Sequence, residues 1–207
     1  MFWEGLNHPN ICQLLEVYLD SLRGTWILVS SYESGFRDLF DHVDSAGPLS
    51  SREAAHIIRQ LVSAVHYLTL AGVDHRDLKD ENLLYNSTTR QVRLIDFGSC
   101  GPLSPAPYTS YRGTEVYIPP EYYHKGTYSA LPAAVWAVGC LSYVLLAGDS
   151  PFYSRQAVKG FGGVEHLNKA YGERTIRLNF LRRCMEVNPD KRAYLSDLLK
   201  HPWLAKV

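Results

Sequence analysis

The sequence has little cysteine and no excess of charge of either sign. The 21 lysines and arginines of its 207 residues are balanced by 21 aspartates and glutamates, a composition that argues against nucleic acid as a partner and against a polybasic membrane anchor. The four cysteines form no C-x-x-C pair, which argues against a zinc ribbon or a disulfide framework and favours a reducing, intracellular compartment. We therefore expect a cytoplasmic protein, with the nucleus as a further compartment.

Long apolar segments are also scarce. Residues 1–4 lack the basic start and the apolar stretch of a secretory signal. One uncharged run, from Leu131 to Gly148, is long enough to raise the question of a membrane span. Pro132 is typical of the first position of a helix and Gly148 of its C-terminal stop. We interpret this run as a buried core helix and predict no membrane association. Hydrophobic residues make up 46% of the sequence, which is enough to fill the core of a single domain.

The most informative stretch is D-H-R-D-L-K-D-E-N, which ends at Asn82. It fits the template H-R-D-x-x-x-x-N, in which the aspartate, here Asp77, accepts the proton of an attacking hydroxyl and the asparagine holds Mg²⁺. A D-F-G triplet follows at Asp96, whose carboxylate would hold Mg²⁺ against nucleotide phosphates. A lone H-R-D is more often a solvated turn or a helix cap. Here four motifs occur in the required order, the fourth being Pro-Pro-Glu at 119–121, so we predict a phosphoryl-transfer site.

With their flanking residues, these motifs resemble eukaryotic protein kinases, and they are most similar to the Pim family of serine/threonine kinases. The resemblance runs from about Leu6 to the C-terminus. Val135 stands where most kinases carry aspartate, a departure that Pim kinases share. The segments that carry the resemblance are His75 to Leu84, Leu94 to Ser99, Val116 to Glu121, Ala134 to Trp136 and Gly148 to Phe152.

The resemblance implies an α+β, protein-kinase-like fold with a complete, mainly helical C-lobe. Two β-like runs, Cys12 to Leu19 and Thr25 to Ser30, are predicted as the last strands of the N-lobe. A capping box at Ser50 predicts a helix that ends near Leu70, with Gly72 as its stop. The implied division of one partial domain over 1–207 is an N-lobe remnant at 1–30, a hinge at 31–37 and the C-lobe at 38–207.

Upstream of these strands the sequence contains no G-x-G-x-x-G loop, no strand lysine and no glutamate of the helix that precedes them. The resemblance therefore implies an N-terminally truncated kinase that lacks the parts that clamp the α- and β-phosphates. Two alternatives remain open. The C-lobe residues favour a serine/threonine protein kinase, and the missing start favours an impaired kinase fragment or pseudokinase that acts as an interaction module.

The resemblance assigns catalytic roles to four residues, with ATP and Mg²⁺ as cofactors. Asp77 is the base, and Lys79 neutralises charge on the transferred phosphoryl group. Asn82 and Asp96 are the metal ligands. Lys79 also favours serine or threonine acceptors, as does Thr114, which faces the catalytic aspartate and lysine in this family.

The hinge is one residue longer than in most kinases, as in Pim kinases, but Glu33 and Gly35 stand in place of the typical prolines. Ser30 is the implied gatekeeper beside the adenine. Asp38 and Asp41 share one side of a helix start, and two explanations remain open: a favourable helix dipole, or contact with the ribose or a basic substrate. The implied ATP-binding residues are Ser31, Tyr32, Glu33, Asp38, Glu81, Leu84 and Ile95.

The remaining assignments concern support and substrate. His75 is expected to be structural, and Arg76 lies where kinases read an activation-loop phosphate, although Pim kinases do not depend on it. Glu121 is predicted to form a buried ion pair with Arg192. An acidic groove is predicted to select protein substrates that carry arginine or lysine upstream of the serine or threonine acceptor. The kinase is expected to be a monomer. The implied substrate-binding residues are Asp41, Asp80, Thr114 and Asp149, with Asp38 and Glu81 adding to the field; the alternative is that these carboxylates only solvate the surface.

Overall fold

The computed structural model describes residues 3–161 and 175–205, so the predicted domain limits at 1 and 207 lie outside the described residues. The described chain combines helices with small antiparallel sheets. The strands are β1 (Leu14–Asp20), β2 (Thr25–Ser30), β3 (Arg37–Asp38), β4 (Val73–Asp74), β5 (Leu83–Asn86), β6 (Gln91–Leu94) and β7 (Gly101–Pro102). The helices are α1 (Leu39–Ala46), α2 (Ser51–Leu70), α3 (Pro120–Lys125), α4 (Ala130–Ala147), α5 (Arg155–Lys159), α6 (Ile176–Cys184), α7 (Leu195–Leu199) and α8 (Pro202–Ala205).

Strands β1 and β2 form an antiparallel ribbon in which Asp20 faces Thr25. The bounds of β2 are those predicted, but β1 begins two residues later than predicted. The reason is tertiary: the Cys12 amide donates to the Leu94 carbonyl at 2.9 Å, and Ile11 forms a parallel bridge to Leu94. The chain is therefore held against β6 before it enters the ribbon.

The ribbon exposes apolar side chains on both of its faces. Trp26 is 61% exposed, and the neighbouring Ile27 is 50% exposed although it points to the opposite face. Isolated two-stranded ribbons are marginally stable in water. The ribbon is therefore the least protected element among the described residues.

Helix α2 follows the predicted capping pattern at its start. The Ser50 hydroxyl accepts a hydrogen bond from the Glu53 amide at 3.2 Å. The Glu53 carboxylate, expected to complete the box, instead accepts a hydrogen bond from the Tyr85 hydroxyl at 3.0 Å, which ties α2 to β5. The helix ends at Leu70, and Gly72 adopts a left-handed φ of 72° that permits the reversal into β4.

Helix α4 is the apolar run that raised the question of a membrane span. It is long and apolar enough to cross a membrane by length and composition, but 67% of the helix is buried inside the molecule. The helix starts at Ala130, so Pro132 occupies its third position rather than the predicted first, and it ends at the left-handed Gly148. α4 packs on α2 and α6, and the predicted buried core helix is confirmed.

The site is placed by short elements next to this core. β4 pairs with β7, a pairing that brings the segment after D-F-G against the entrance to the H-R-D loop. β5 pairs with both β3 and β6, which places the hinge beside the hairpin that leads into D-F-G. The H-R-D stretch, residues 75–82, lies between β4 and β5 and is called the catalytic loop below. A 3-10 turn at Asp80–Asn82 forms its end.

A test of the core concerns Gly139, in the middle of α4. A methyl group there would lie 2.6 Å from Met185 Cγ and 2.8 Å from Cys184 Cβ. Alanine is the better helix former by about 1 kcal/mol, but overpacking costs about 1–3 kcal/mol. We expect Gly139→Ala to lower the free energy of unfolding in a urea titration. Adding Met185→Ala should relieve part of the clash and recover part of the lost stability. A Gly139→Ala variant that is more stable than the parent would contradict this packing.

Candidate active site

The Asp77 carboxylate is the meeting point of two other predicted catalytic residues, Lys79 and Asn82, and of Thr114, predicted as a substrate residue. Its Oδ1 accepts hydrogen bonds from the Thr114 amide at 3.0 Å and the Thr114 hydroxyl at 2.9 Å. Its Oδ2 accepts a hydrogen bond from Asn82 Nδ2 at 3.2 Å and lies 3.6 Å from Lys79 Nζ. The structure thus brings together four residues that the sequence separates by up to 37 positions.

The approach of Thr114 to Asp77 depends on the glycine before it. Gly113 has a φ of 119°, which side chains rarely adopt, and a methyl group there would lie 2.5 Å from the Arg76 carbonyl oxygen. The backbone of the activation segment, residues 96–121, therefore lies directly on the catalytic loop.

The two predicted metal ligands are joined through the backbone, because the Ile95 amide donates to the Asn82 carbonyl at 2.9 Å. Asn82 Nδ2 donates to the Asp77 carbonyl at 2.8 Å, which leaves the side-chain oxygen of Asn82 as its free acceptor. Asp96 has a left-handed φ of 58°, and its Oδ1 accepts a hydrogen bond from the Gly98 amide at 3.0 Å.

These side-chain oxygens suit Mg²⁺, which prefers hard oxygen donors and is held in phosphoryl-transfer sites by one or two protein ligands with the substrate phosphates. Among residues 3–161 and 175–205, no group of three or more histidine, cysteine, aspartate or glutamate side chains is placed to hold an ion. Residues Asn82 and Asp96 therefore fit a magnesium ion that shares its coordination with a nucleotide.

His75 lies behind the catalytic loop with 2% of its surface exposed. Its Nε2 lies 3.0 Å from the Ile95 carbonyl oxygen, and its ring is 5.1 Å from that of Phe97. Burial lowers the pKa of His75, which favours the neutral imidazole. The Phe97 ring also stacks on Trp3, with the two ring centres 5.0 Å apart and an interplanar angle of 9°. Sequence reasoning missed Trp3, whose position 94 residues upstream carries no signal of this contact.

Four of the predicted ATP-binding residues line one small cavity of about 60 Å³ near the hinge, namely Ser31, Tyr32, Glu33 and Leu84. Asp38, Glu81 and Ile95, predicted for the same role, are not among its lining residues. The Ser31 amide donates to the Gln13 carbonyl at 2.8 Å, which fixes the start of the hinge to the residue before β1. The implied gatekeeper Ser30 is exposed at the end of β2.

An ion pair that sequence reasoning did not identify fixes the hinge from the other side. Arg93 on β6 donates to Glu33 Oε1 from Nε at 3.1 Å and from Nη2 at 2.8 Å. The same guanidinium lies 5.4 Å over the Phe36 ring and donates to the Pro9 carbonyl. Glu33, which replaces a typical proline, therefore holds the hinge by an ion pair.

A second cavity, of about 280 Å³, collects acidic residues beside the catalytic loop. Three of its lining residues, Asp80, Thr114 and Asp149, are predicted substrate residues. Glu81, predicted both for ATP and for the acidic field of the groove, also lines the cavity. Asp44 also lines this acidic cavity, and the sequence analysis missed it. Apolar walls complete the cavity, formed by Phe40, Val43, Val116 and Val144.

Within the acidic cavity, burial raises the pKa of Glu81, and the neighbouring Asp80 adds to this effect. The Asp80 carboxylate accepts a hydrogen bond from the Tyr117 hydroxyl at 2.9 Å. Burial and the charge of Asp80 raise the pKa of Tyr117, so the phenol stays protonated and keeps donating. The cavity therefore concentrates negative charge that a cation would stabilise.

Asp38 and Asp41 are not among the residues that line the acidic cavity. The Asp38 carboxylate caps α1 by accepting a hydrogen bond from the Asp41 amide at 2.8 Å. Asp41 lies 3.7 Å from Arg37 in an exposed ion pair. The sequence left two explanations open, a favourable helix start and contact with the ribose or a basic substrate. The cap made by Asp38 agrees with the first, and neither residue lines the acidic cavity that would favour the second.

The predicted ion pair of Glu121 and Arg192 is present and buried. Arg192 Nη1 and Nη2 donate to the two carboxylate oxygens of Glu121 at 2.9 and 2.8 Å, in the bidentate geometry that favours arginine. Arg192 also donates to the Pro132 carbonyl at 2.8 Å and lies 5.2 Å over the Trp136 ring. Through Arg192, the pair joins α3, which begins at the end of the activation segment, to the core helix α4.

Comparison with known proteins agrees with this geometry. A family model for the protein kinase domain matches residues 2–204. The chain is 36% identical over 199 residues to the serine/threonine-protein kinase pim-2 of Danio rerio. The matched region covers 95% of this chain and 62% of pim-2. The chain is 32% identical to calcium/calmodulin-dependent protein kinase type 1 of Macrobrachium nipponense, covering 97% and 59%, and 32% identical to the serine/threonine-protein kinase prk-2 of Caenorhabditis elegans, covering 81% and 38%.

The chain therefore belongs to the protein kinase family, and its α+β fold with a mainly helical lobe is that of a protein kinase domain. Within the family it lies with the serine/threonine kinases, and the predicted resemblance to Pim kinases is confirmed by the match to pim-2. The chain spans less than two thirds of the length of each of these relatives.

The two ion pairs of this region give a stability test. Glu121→Gln leaves the Arg192 charge buried with a weaker partner, so we expect a loss of about 3–5 kcal/mol in the free energy of unfolding, measured by urea titration. Asp41→Asn is the matched control, because its pair with Arg37 has side chains that are about half exposed, at 54% and 52%. That control should change stability by less than about 1 kcal/mol. Equal losses in the two variants would contradict the assignment.

Proposed function

We propose that this kinase domain transfers the γ-phosphoryl group of ATP to serine or threonine hydroxyls of proteins. The observation that supports this most strongly is the Asp77 carboxylate, which accepts two hydrogen bonds from Thr114 and lies 3.6 Å from Lys79. A carboxylate held in this way is oriented before any substrate arrives, and a cation stands beside it. That combination suits proton acceptance from a hydroxyl next to a group that accumulates negative charge.

In this proposal Asp77 orients the acceptor hydroxyl and takes its proton, while Lys79 stabilises charge on the transferred group. Asn82 and Asp96 hold Mg²⁺, which neutralises the nucleotide phosphates when bound. Ser31, Tyr32, Glu33 and Leu84 contact the nucleotide at the hinge. His75 keeps Asp96 in place through the Ile95 carbonyl and Phe97.

We further propose that the acidic cavity selects substrates with arginine or lysine upstream of the acceptor. Its position is suitable, because Thr114 both lines the cavity and bonds the catalytic carboxylate. Its composition is suitable as well, since apolar walls match the aliphatic stem of arginine and the carboxylates match its guanidinium. A monomeric kinase that acts on proteins in the cytoplasm and nucleus, without nucleic acid or membrane as a partner, completes this proposal.

One observation favours a second candidate function, a non-catalytic interaction module. The β1–β2 ribbon is two-stranded and exposes large apolar side chains on both faces, and an isolated two-stranded ribbon is marginally stable in water. A domain of this kind would bind partners through its helical lobe. The two candidates differ in a simple measurement, which is whether the purified 207-residue chain binds nucleotide in a magnesium-dependent way.

The roles of the two carboxylates can be separated by mutation, in a version of the chain extended upstream by a glycine-rich loop and a lysine-bearing strand. Asp77→Asn should lower turnover by about 10²–10⁴-fold and leave the Kd for Mg·ATP nearly unchanged, because Asp77 acts on the acceptor hydroxyl. Asp96→Asn should weaken magnesium-dependent nucleotide binding together with the rate. Titration of both variants with Mg·ATP checks the assignment, and an equal loss of affinity would refute it.

Substrate preference gives a further test, with a positional peptide library as substrate of the same extended protein. Arginine upstream of the acceptor should raise kcat/KM, and the advantage should fall at higher salt. Replacing Asp44 and Asp149 by asparagine and Glu81 by glutamine should remove most of the advantage. Asp41→Asn, outside the cavity, is the control and should leave it intact. An arginine preference that survives the triple replacement would show that the acidic cavity is not the selective element.

A further inference from the structure

Arg76 follows the catalytic-loop histidine, at the position where kinases read an activation-loop phosphate. In this structure its guanidinium is already enclosed. The Cζ atom lies 4.6 Å from the centre of the Tyr108 ring, inside the range of a cation–π contact. Next to it, a methyl group on Gly101 would lie only 2.3 Å from the guanidinium, so the backbone there closes directly on Arg76. The remaining polar contacts are Nη2 donating to the Pro102 carbonyl at 3.3 Å and Nε at 3.8 Å from Asp74 Oδ2.

We propose that Tyr108 is a positioning residue for the catalytic loop, and that its ring holds Arg76 in the place that an activation-segment phosphate would otherwise fix. The inference rests on the proposed function, since the loop that it positions carries Asp77. It extends that function by stating how the activation segment is ordered without phosphorylation.

Tyr108 is itself held firmly, which a positioning residue requires. Its hydroxyl donates to the Pro102 carbonyl at 2.9 Å and accepts from the Ser104 amide at 3.3 Å. Its backbone exchanges two hydrogen bonds with Tyr128, at 2.8 and 3.1 Å, and the two rings lie 5.3 Å apart. Tyr128 stands two residues before the core helix α4, so Tyr108 is connected to the rigid core.

The contact reaches Asp77 by a short route. Arg76 has a left-handed φ of 68° and directly precedes Asp77 in the chain. The Arg76 carbonyl packs against Gly113, and the next residue, Thr114, donates two hydrogen bonds to Asp77. A change in the position of Arg76 would therefore shift both the catalytic carboxylate and the threonine that orients it.

The charge balance is also consistent with a site that needs no phosphate. Asp74, whose side chain is 10% exposed, accepts a hydrogen bond from the Arg76 amide at 3.3 Å and faces its guanidinium. Burial raises the pKa of Asp74, and the positive charge of Arg76 and the hydrogen bond from its amide oppose that rise. Arg76 is thus neutralised by Asp74 at one side while its face rests on an aromatic ring. A phosphate at this site would add a dianion next to the Asp74 carboxylate, an unfavourable arrangement.

The test compares two variants that separate ring chemistry from bulk. Tyr108→Phe keeps the aromatic face and loses the hydroxyl, whereas Tyr108→Leu keeps an apolar side chain without a π-face. Amide hydrogen exchange is measured over residues 74–82 and 101–112 in the 207-residue chain after phosphatase treatment, with the absence of phosphate verified by mass. Over residues 74–82 we expect the parent and Tyr108→Phe to be protected alike, because the lost hydroxyl bonds only Pro102 and Ser104. Tyr108→Leu should exchange there between about twofold and thirtyfold faster, the factor that a cation–π contact corresponds to. Over residues 101–112 the loss of the hydroxyl should speed exchange in both variants.

A double-mutant cycle with Arg76→Met distinguishes this role from simple packing. In the Arg76→Met background the difference between phenylalanine and leucine at 108 should disappear, whereas a merely structural role of the side chain would preserve it. If Tyr108→Leu fails to fold, fluorinated phenylalanines at 108 replace it, because fluorine weakens the negative face of the ring with little change in shape. Protection should then fall in steps with fluorine number.

Two results would overturn the inference: equal protection of residues 74–82 in the phenylalanine and leucine variants, or protection of the parent that depends on phosphate. Neither measurement requires ATP turnover. Absence of catalysis would therefore refute the proposed function without affecting the outcome of this test, and loss of the Arg76–Tyr108 coupling would refute the inference without affecting the proposed function.

Discussion

The two hydrogen bonds from Thr114 to Asp77 are the interaction on which the site depends. They join the activation segment to the catalytic loop and fix the carboxylate that the proposed chemistry requires. Several costly features serve this junction. Gly113 adopts a φ that other residues avoid, and Arg76 and Asp96 adopt left-handed backbone conformations without being glycine. Such conformations persist only where the surrounding structure determines them. Here Asp74 and Tyr108 hold the Arg76 side chain, and the Gly98 amide holds the Asp96 carboxylate.

The carboxylates of the site fall into two groups, those paired with a cation and those that line the acidic cavity. Asp77 faces Lys79, Asp74 faces Arg76, and Glu121 faces Arg192, so these acids are matched within the molecule. The acidic cavity differs, because its carboxylates lie close to one another, and burial together with the neighbouring charge raises the pKa of Glu81. Matched acids stabilise the structure, whereas crowded acids are available to a cationic ligand.

The described chain is unevenly protected. α2 and α4 bury apolar residues along most of their length, whereas the β1–β2 ribbon leaves large side chains half exposed on both faces. The hinge between these regions is held by the Glu33–Arg93 ion pair and by the Ser31 amide, both of which connect it to neighbouring strands. The catalytic loop therefore rests on a large core, and the ribbon and the hinge rest on a much smaller one.

The sequence by itself determined what depends on short spacing. The H-R-D-x-x-x-x-N and D-F-G motifs, the bounds of β2, the Ser50 cap and the apolar α4 follow from bonds and periodicities that span a few residues. Tertiary structure alone decided which acids share a cavity, since it leaves out Asp38 and Asp41 and adds Asp44. It also decided which partners lie at long range, as in Trp3 with Phe97 and Arg93 with Glu33. Those contacts join residues about 60 to 94 positions apart, and their distances are set by how the helices and strands pack, a sum of many weak interactions that no local pattern records.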